Sequence, residues 1–130
     1  MVEMIIDTNT ILRFVLKDVS SQNVEVYELI KKAKDKKIKL IIPEIVVFET
    51  YFTLKSYYEY KKETLLIVLE SLLSADYFKV ENSHLFMEAV KILGNSNLEF
   101  VDCFLAAKSK FLETKLFTFD NNLNKYLYKK

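Results

Sequence analysis

Four acidic residues, far apart in the sequence, sit where the chain could gather them: Asp7, Glu49, Asp102 and Asp120. "MIIDTNTILRF" (4–14) changes from an apolar strand pattern to a helical one, and Asp7 lies at the change. An aspartate there caps the helix that follows. It can equally be an oxygen donor to a metal ion, and the two roles are compatible. Carboxylates gathered in one place repel each other, so they either hold protons to higher pH or capture a cation. His84 and Cys103 are the only histidine and cysteine, which disfavours zinc. Oxygen donors alone suit a hard ion, Mg²⁺ or Mn²⁺. Such an ion cancels phosphate charge, polarises the phosphorus centre and lowers the pKa of a bound water, which suits phosphate chemistry.

The elements that must position these acids can be traced along the chain. "VEMII" (2–6), "IKLII" (38–42), "YFKV" (77–80) and "KLFTF" (115–119) have the pattern of short strands. Helical spacing covers the segment from Thr8, then 20–36, 44–58, 61–74, 83–93 and 98–113, and "DNNLNKYLYKK" closes as a short helix. Pro43 sits where a helix can begin, since its missing N–H is no loss there. Strands alternating with helices predict an α/β sandwich, a short, mostly parallel sheet of about four to five strands covered by helices.

In such sheets, ligands bind at the carboxyl ends of the strands. Asp7 follows the first expected strand and Asp120 the fourth. Glu49 lies in the second turn of the helix leaving the second strand. Asp102 lies near the start of a helix running antiparallel to the strands. Topology therefore sends all four acids to one edge. Glu49 is flanked on its helix face by Ile45, Val46, Phe52 and Thr53, and Asp102 by Leu98, Glu99, Leu105 and Ala106. An unpaired charge is costly in such surroundings. Glu70 has a similar apolar stripe but lies late in its helix, toward the wrong edge.

Composition narrows the class. The 130 residues are enough for a single domain, 1–130, with 51% hydrophobic and 28% charged residues. No apolar run approaches the roughly 20 residues of a membrane span, and no signal-peptide pattern opens the chain. A lone cysteine excludes an internal disulfide and fits a reducing cytoplasm. The net charge of +1 excludes a strongly basic nucleic-acid binder but not a local basic patch. Arg13 is the only arginine, so phosphate contacts would fall to lysines. "KKAKDKKIK" (31–39) reads either as a lysine grip on RNA or as a solvated helix end favoured by the helix dipole. "YFTLKSYYEY" (51–60) carries enough aromatic surface for an interface.

"IIDTNTILRF", "IPEIVVFETYFTL", "LEFVDCFLAA" and "LFTFDNNL" together resemble the four motif blocks of PIN-domain ribonucleases, in particular VapC-type toxins of toxin–antitoxin pairs. The resemblance spans almost the whole chain, in order. It implies a PIN-like α/β/α sandwich with metal-ligating, catalytic acids at Asp7, Glu49, Asp102 and Asp120. It assigns Asn9 and Thr118 orienting roles. Glu99 stands where many relatives carry aspartate, so it is a candidate for the surroundings of the ion. The family implies Mg²⁺-dependent cleavage of RNA, often transfer RNA, with Mn²⁺ as an alternative ion. It also implies a homodimer, a VapB-like antitoxin that blocks the site, and a cytoplasmic location without membrane attachment. Two competing readings of the residues are a non-catalytic RNA-binding or assembly domain and a phospho-acceptor signalling domain. The second wants an acidic pair after the first strand, which "DTN" does not supply.

Overall fold

The computed structural model describes residues 2–17 and 21–128, with the side chains of 21–23 left aside. The described elements run β1 (Val2–Ile5), α1 (Thr8–Leu16), α2 (Ser21–Lys34), β2 (Ile38–Ile42), α3 (Glu44–Ser56), α4 (Lys62–Ser74), β3 (Phe78–Val80), α5 (Ser83–Gly94), α6 (Phe100–Phe111) and α7 (Asn121–Tyr128). This is the expected α/β class, and the sheet is parallel. No helix among the described residues is long and apolar enough to cross a membrane. The chain forms two compact units, Met1–Glu81 and Asn82–Lys130.

The first unit holds the sheet, in the order β1-β2-β3. β1 pairs with β2 through Val2↔Ile38 to Ile5↔Ile41, and β2 with β3 through Leu40↔Phe78 to Ile42↔Val80. Side chains alternate across a strand, so one face carries Leu40, Ile42, Phe78 and Val80, all buried. The other carries Glu3, Lys39, Ile41 and Lys79, where Lys79 reaches over β2 to the Glu3 carboxylate at 3.4 Å. Val46, Val47, Tyr51 and Leu54 of α3 and Leu65, Leu69 and Leu72 of α4 recur at helical spacing and are buried. Pro43 caps α3 from outside its first turn, and the Glu81 carboxylate accepts the Glu44 N–H at 3.0 Å. A negative charge at a helix start complements the dipole.

The second unit packs α5 on α6. The Phe86 ring meets Phe104 at 4.7 Å and Phe100 at 6.0 Å between centroids. Ala106 and Ala107, both buried, keep that side of α6 slim.

The strand expected at 115–119 is not formed, so the sheet has three strands rather than four or five. α7 holds this segment instead. Tyr128 Oη accepts the Leu116 N–H at 2.9 Å and donates to the Leu116 carbonyl at 2.7 Å. Asn124 Nδ2 donates to the Thr118 carbonyl at 2.9 Å. Backbone groups on one edge of this segment, those of Leu116 and Thr118, are thus taken by side chains. Phe117 and Phe119 point outward, 83% and 88% exposed, as an edge-to-face pair at 5.2 Å.

Candidate active site

The turn after β1 is built around Asp7. Its Oδ1 accepts both the Thr10 N–H, at 3.0 Å, and the Thr10 hydroxyl, at 2.8 Å. Asp7 is therefore the N-cap of α1, its backbone extended at φ −96° and ψ 178°. These bonds stabilise the ionised form and hold the Asp7 carboxyl below its ordinary value; the slight burial opposes them. From the very next residue, Thr8 Oγ1 donates to Glu49 Oε1 at 2.7 Å. That bond ties the start of α1 to the second turn of α3 and sets Glu49 beside the Asp7 turn. Asn9 is exposed on the first turn of α1.

In the second unit, Asp102 lies in the first turn of α6, which Glu99 precedes as N-cap. The Asp102 carboxyl is pushed above its ordinary value, first by desolvation, then by the negative charges of Asp120 and Glu99. Asp120 stands just before α7, and its Oδ1 accepts the Leu123 N–H at 2.8 Å. Thr118 turns the chain into that cap: its Oγ1 accepts the Asp120 N–H at 3.0 Å. Asp120 reaches this position without the strand expected before it.

The structure thus brings Asp7 and Glu49 near each other through Thr8, and Asp102 within electrostatic reach of Asp120 and Glu99. The first pair belongs to the first unit and the second to the second. No group of three or more His, Cys, Asp or Glu side chains among the described residues is close enough to chelate an ion directly. None of the four acids forms an ion pair with a lysine or arginine among the described residues. Three of them spend a single oxygen on being held, Oδ1 of Asp7, Oε1 of Glu49 and Oδ1 of Asp120. No other residue among the described ones donates to the second oxygen of each.

Thr8, Thr10 and Asn124 were not singled out by sequence reasoning. The capping pattern Asp-x-x-Thr could have found Thr10. Nothing local marks Thr8 as the partner of a residue 41 positions on.

The profile of the PIN domain matches residues 4–126. The chain belongs to the PIN domain family. The PIN match runs through Asp7, Glu49, Asp102 and Asp120, and so takes in residues of both units. Among curated proteins, a VapC ribonuclease of Aquifex aeolicus (strain VF5) is 29% identical over 112 residues, covering 85% of this chain and 82% of that protein. No solved structure gives a significant match.

Proposed function

We propose that this PIN protein is a Mg²⁺-dependent endoribonuclease, the toxin of a VapBC-type toxin–antitoxin pair. The likeness to a protein named VapC ribonuclease over most of both chains supports the reaction class. The observation that carries the metal reading is the arrangement of oxygens. In the first unit Asp7 and Glu49 are each held through one oxygen, in the second Asp120 is held likewise, and none of the three forms an ion pair with a cation among the described residues. Asp102 adds a carboxylate that its neighbours already repel. All-oxygen donors fit Mg²⁺, with Mn²⁺ as the alternative.

When bound, the ion supplies charge neutralisation of the scissile phosphate and acidification of a water. The chain's own residues do the positioning. Thr10 locks the Asp7 carboxylate in its ionised form, and Thr8 holds Glu49. Thr118 and the Leu123 N–H aim Asp120. Asn9 and Glu99 border the acids and would orient substrate or water. RNA is the substrate, with transfer RNA the class to assay first. A VapB-like antitoxin and a second copy of the chain are the partners, and the cytoplasm is the compartment. Since a ribose hydroxyl need not act as nucleophile, products should carry 5′-phosphates.

The test is cleavage of total transfer RNA in Mg²⁺ by the wild type and by Asp7→Asn. Cleavage by the wild type alone, abolished by EDTA, is the expected result. Undiminished cleavage in EDTA overturns the metal reading. Binding of RNA without cleavage at saturating Mg²⁺ or Mn²⁺ makes the domain a non-catalytic RNA binder.

A further inference from the structure

We infer that the lysine-rich turn between α2 and β2 is a second contact for RNA, gripping its phosphate backbone at the sheet edge opposite Asp7 and Glu49. The inference rests on RNA being the substrate, and it adds where a long substrate is held.

Residues 31–39 contain six lysines and one aspartate. Lys31, Lys32 and Lys34 lie in the last turn of α2, where the helix dipole favours positive charge. Lys36 and Lys37 follow the helix as the two residues that close its end. Lys31, Lys32, Lys36 and Lys37 are exposed, and none forms an ion pair among the described residues. Lys34 sits over the Tyr77 ring at 5.6 Å, and Lys39 Nζ donates to the Asp76 carbonyl at 2.6 Å; neither forms an ion pair among the described residues. The positive charge is left for solvent or for a polyanion.

The turn is also well defined. Lys37 N–H donates to the Lys32 carbonyl and Lys36 N–H to the Ala33 carbonyl, both at 3.0 Å. That is the Schellman closure of a helix, with Lys36 left-handed at φ 62°. Glycine is the usual residue there, because a Cβ is penalised. Here a lysine occupies the position, and its charge joins the cluster.

The geometry separates this patch from the acids. β2 leads from the turn toward Pro43 and α3, so the lysines lie at the amino end of the strand. Glu49 lies beyond its carboxyl end. Five residues of strand span about 15 Å. Duplex nucleic acid carries a charge about every 1.7 Å of its axis, so that span offers roughly nine phosphates. A folded or duplex RNA reaches from one edge to the other; a dinucleotide does not. Lysines, as point charges, suit sequence-independent backbone contact.

The test uses the full chain with Lys31, Lys32, Lys36 and Lys37 all changed to glutamine, a matched variant with all four changed to arginine, and the wild type. Binding of a structured RNA is measured in EDTA across a range of KCl, with circular dichroism confirming the fold of each. The glutamine variant should bind about a thousandfold more weakly at 0.1 M KCl, with the slope of log K against log salt shallower by about three. The arginine variant should match the wild type. In Mg²⁺, the glutamine variant should cleave the structured RNA with a raised KM and a dinucleotide at the wild-type rate. Equal affinity and equal salt slopes overturn the inference. So does capture of polyglutamate with no effect of the lysines on RNA, which would assign the patch to an acidic protein. A wild type that cleaves no RNA, with the slope difference intact, defeats the ribonuclease reading and leaves the backbone contact standing.

Discussion

Thr8 Oγ1 and Glu49 Oε1 meet at 2.7 Å, joining the first residue of α1 to α3 across 41 positions of sequence. The bond is charge-assisted, and a hydrogen bond to a charged group stabilises more than a neutral one. Exposure to solvent screens much of that gain. Thr8→Val should cost about 1 kcal/mol in urea unfolding. RNA cleavage should fall by more than that loss implies, because Glu49 is then free to swing away from the Asp7 turn. A loss of stability with unchanged cleavage would show the bond to be purely structural.

Asp7 combines a cap with a charge, and two substitutions separate them. Asp7→Ala removes the acceptor for Thr10 and should destabilise the protein by about 1 kcal/mol. Asp7→Asn keeps a capping oxygen and should stay close to wild-type stability at neutral pH. Both should abolish cleavage. Because the folded carboxyl titrates below its ordinary 3.8, its stabilisation is present above that pH and lost as pH falls through the folded value. Acid titration of stability should therefore show a wild-type loss below about pH 4 that Asp7→Asn lacks.

Asp102 has the opposite sign. Its folded carboxyl titrates above 3.8, so the folded state holds the proton longer than the unfolded chain. Stability must then fall as pH rises from 3.8 through the raised value, and the penalty persists at neutral pH. In EDTA at pH 7, Asp102→Asn should melt at a higher temperature than the wild type. Adding Mg²⁺ should raise the wild-type melting temperature, since a ligand of the folded state alone stabilises it. The same addition should do less for Asp102→Asn. Equal responses of the two proteins to Mg²⁺ would remove Asp102 from the ion site.

Lys36 holds a left-handed backbone without being glycine. Lys36→Gly should stabilise the chain by about 1 kcal/mol, the relieved Cβ contact outweighing the greater freedom of glycine when unfolded. Thermal denaturation reads this directly. The same variant should bind structured RNA somewhat more weakly, so stability and binding should move in opposite directions.

Local pattern carried most of the secondary structure. β2 occupies Ile38–Ile42, the apolar run that marks it, and α4 begins one residue after its expected start. The start of α1 was legible because Asp7 sits where the strand pattern turns helical, and a cap is a local bond. "KLFTF" was misleading for a definite reason. Its apolar residues specify an extended segment, but a strand exists only where a second backbone accepts its bonds. Tyr128 and Asn124, 12 and 6 residues further on, reach those groups instead.

The order of residues by itself determined which carboxylates lie at the ends of elements, which ion chemistry they could support, and where the lysines collect. Tertiary structure alone decided that Thr8 holds Glu49, that Asp120 and Glu99 push on Asp102, and that Lys31, Lys32, Lys36 and Lys37 form no ion pair among the described residues. Capping and helical spacing act over three or four residues and are written in the chain. Electrostatic repulsion and hydrogen bonds between distant elements depend on separations of a few ångströms, which only packing sets.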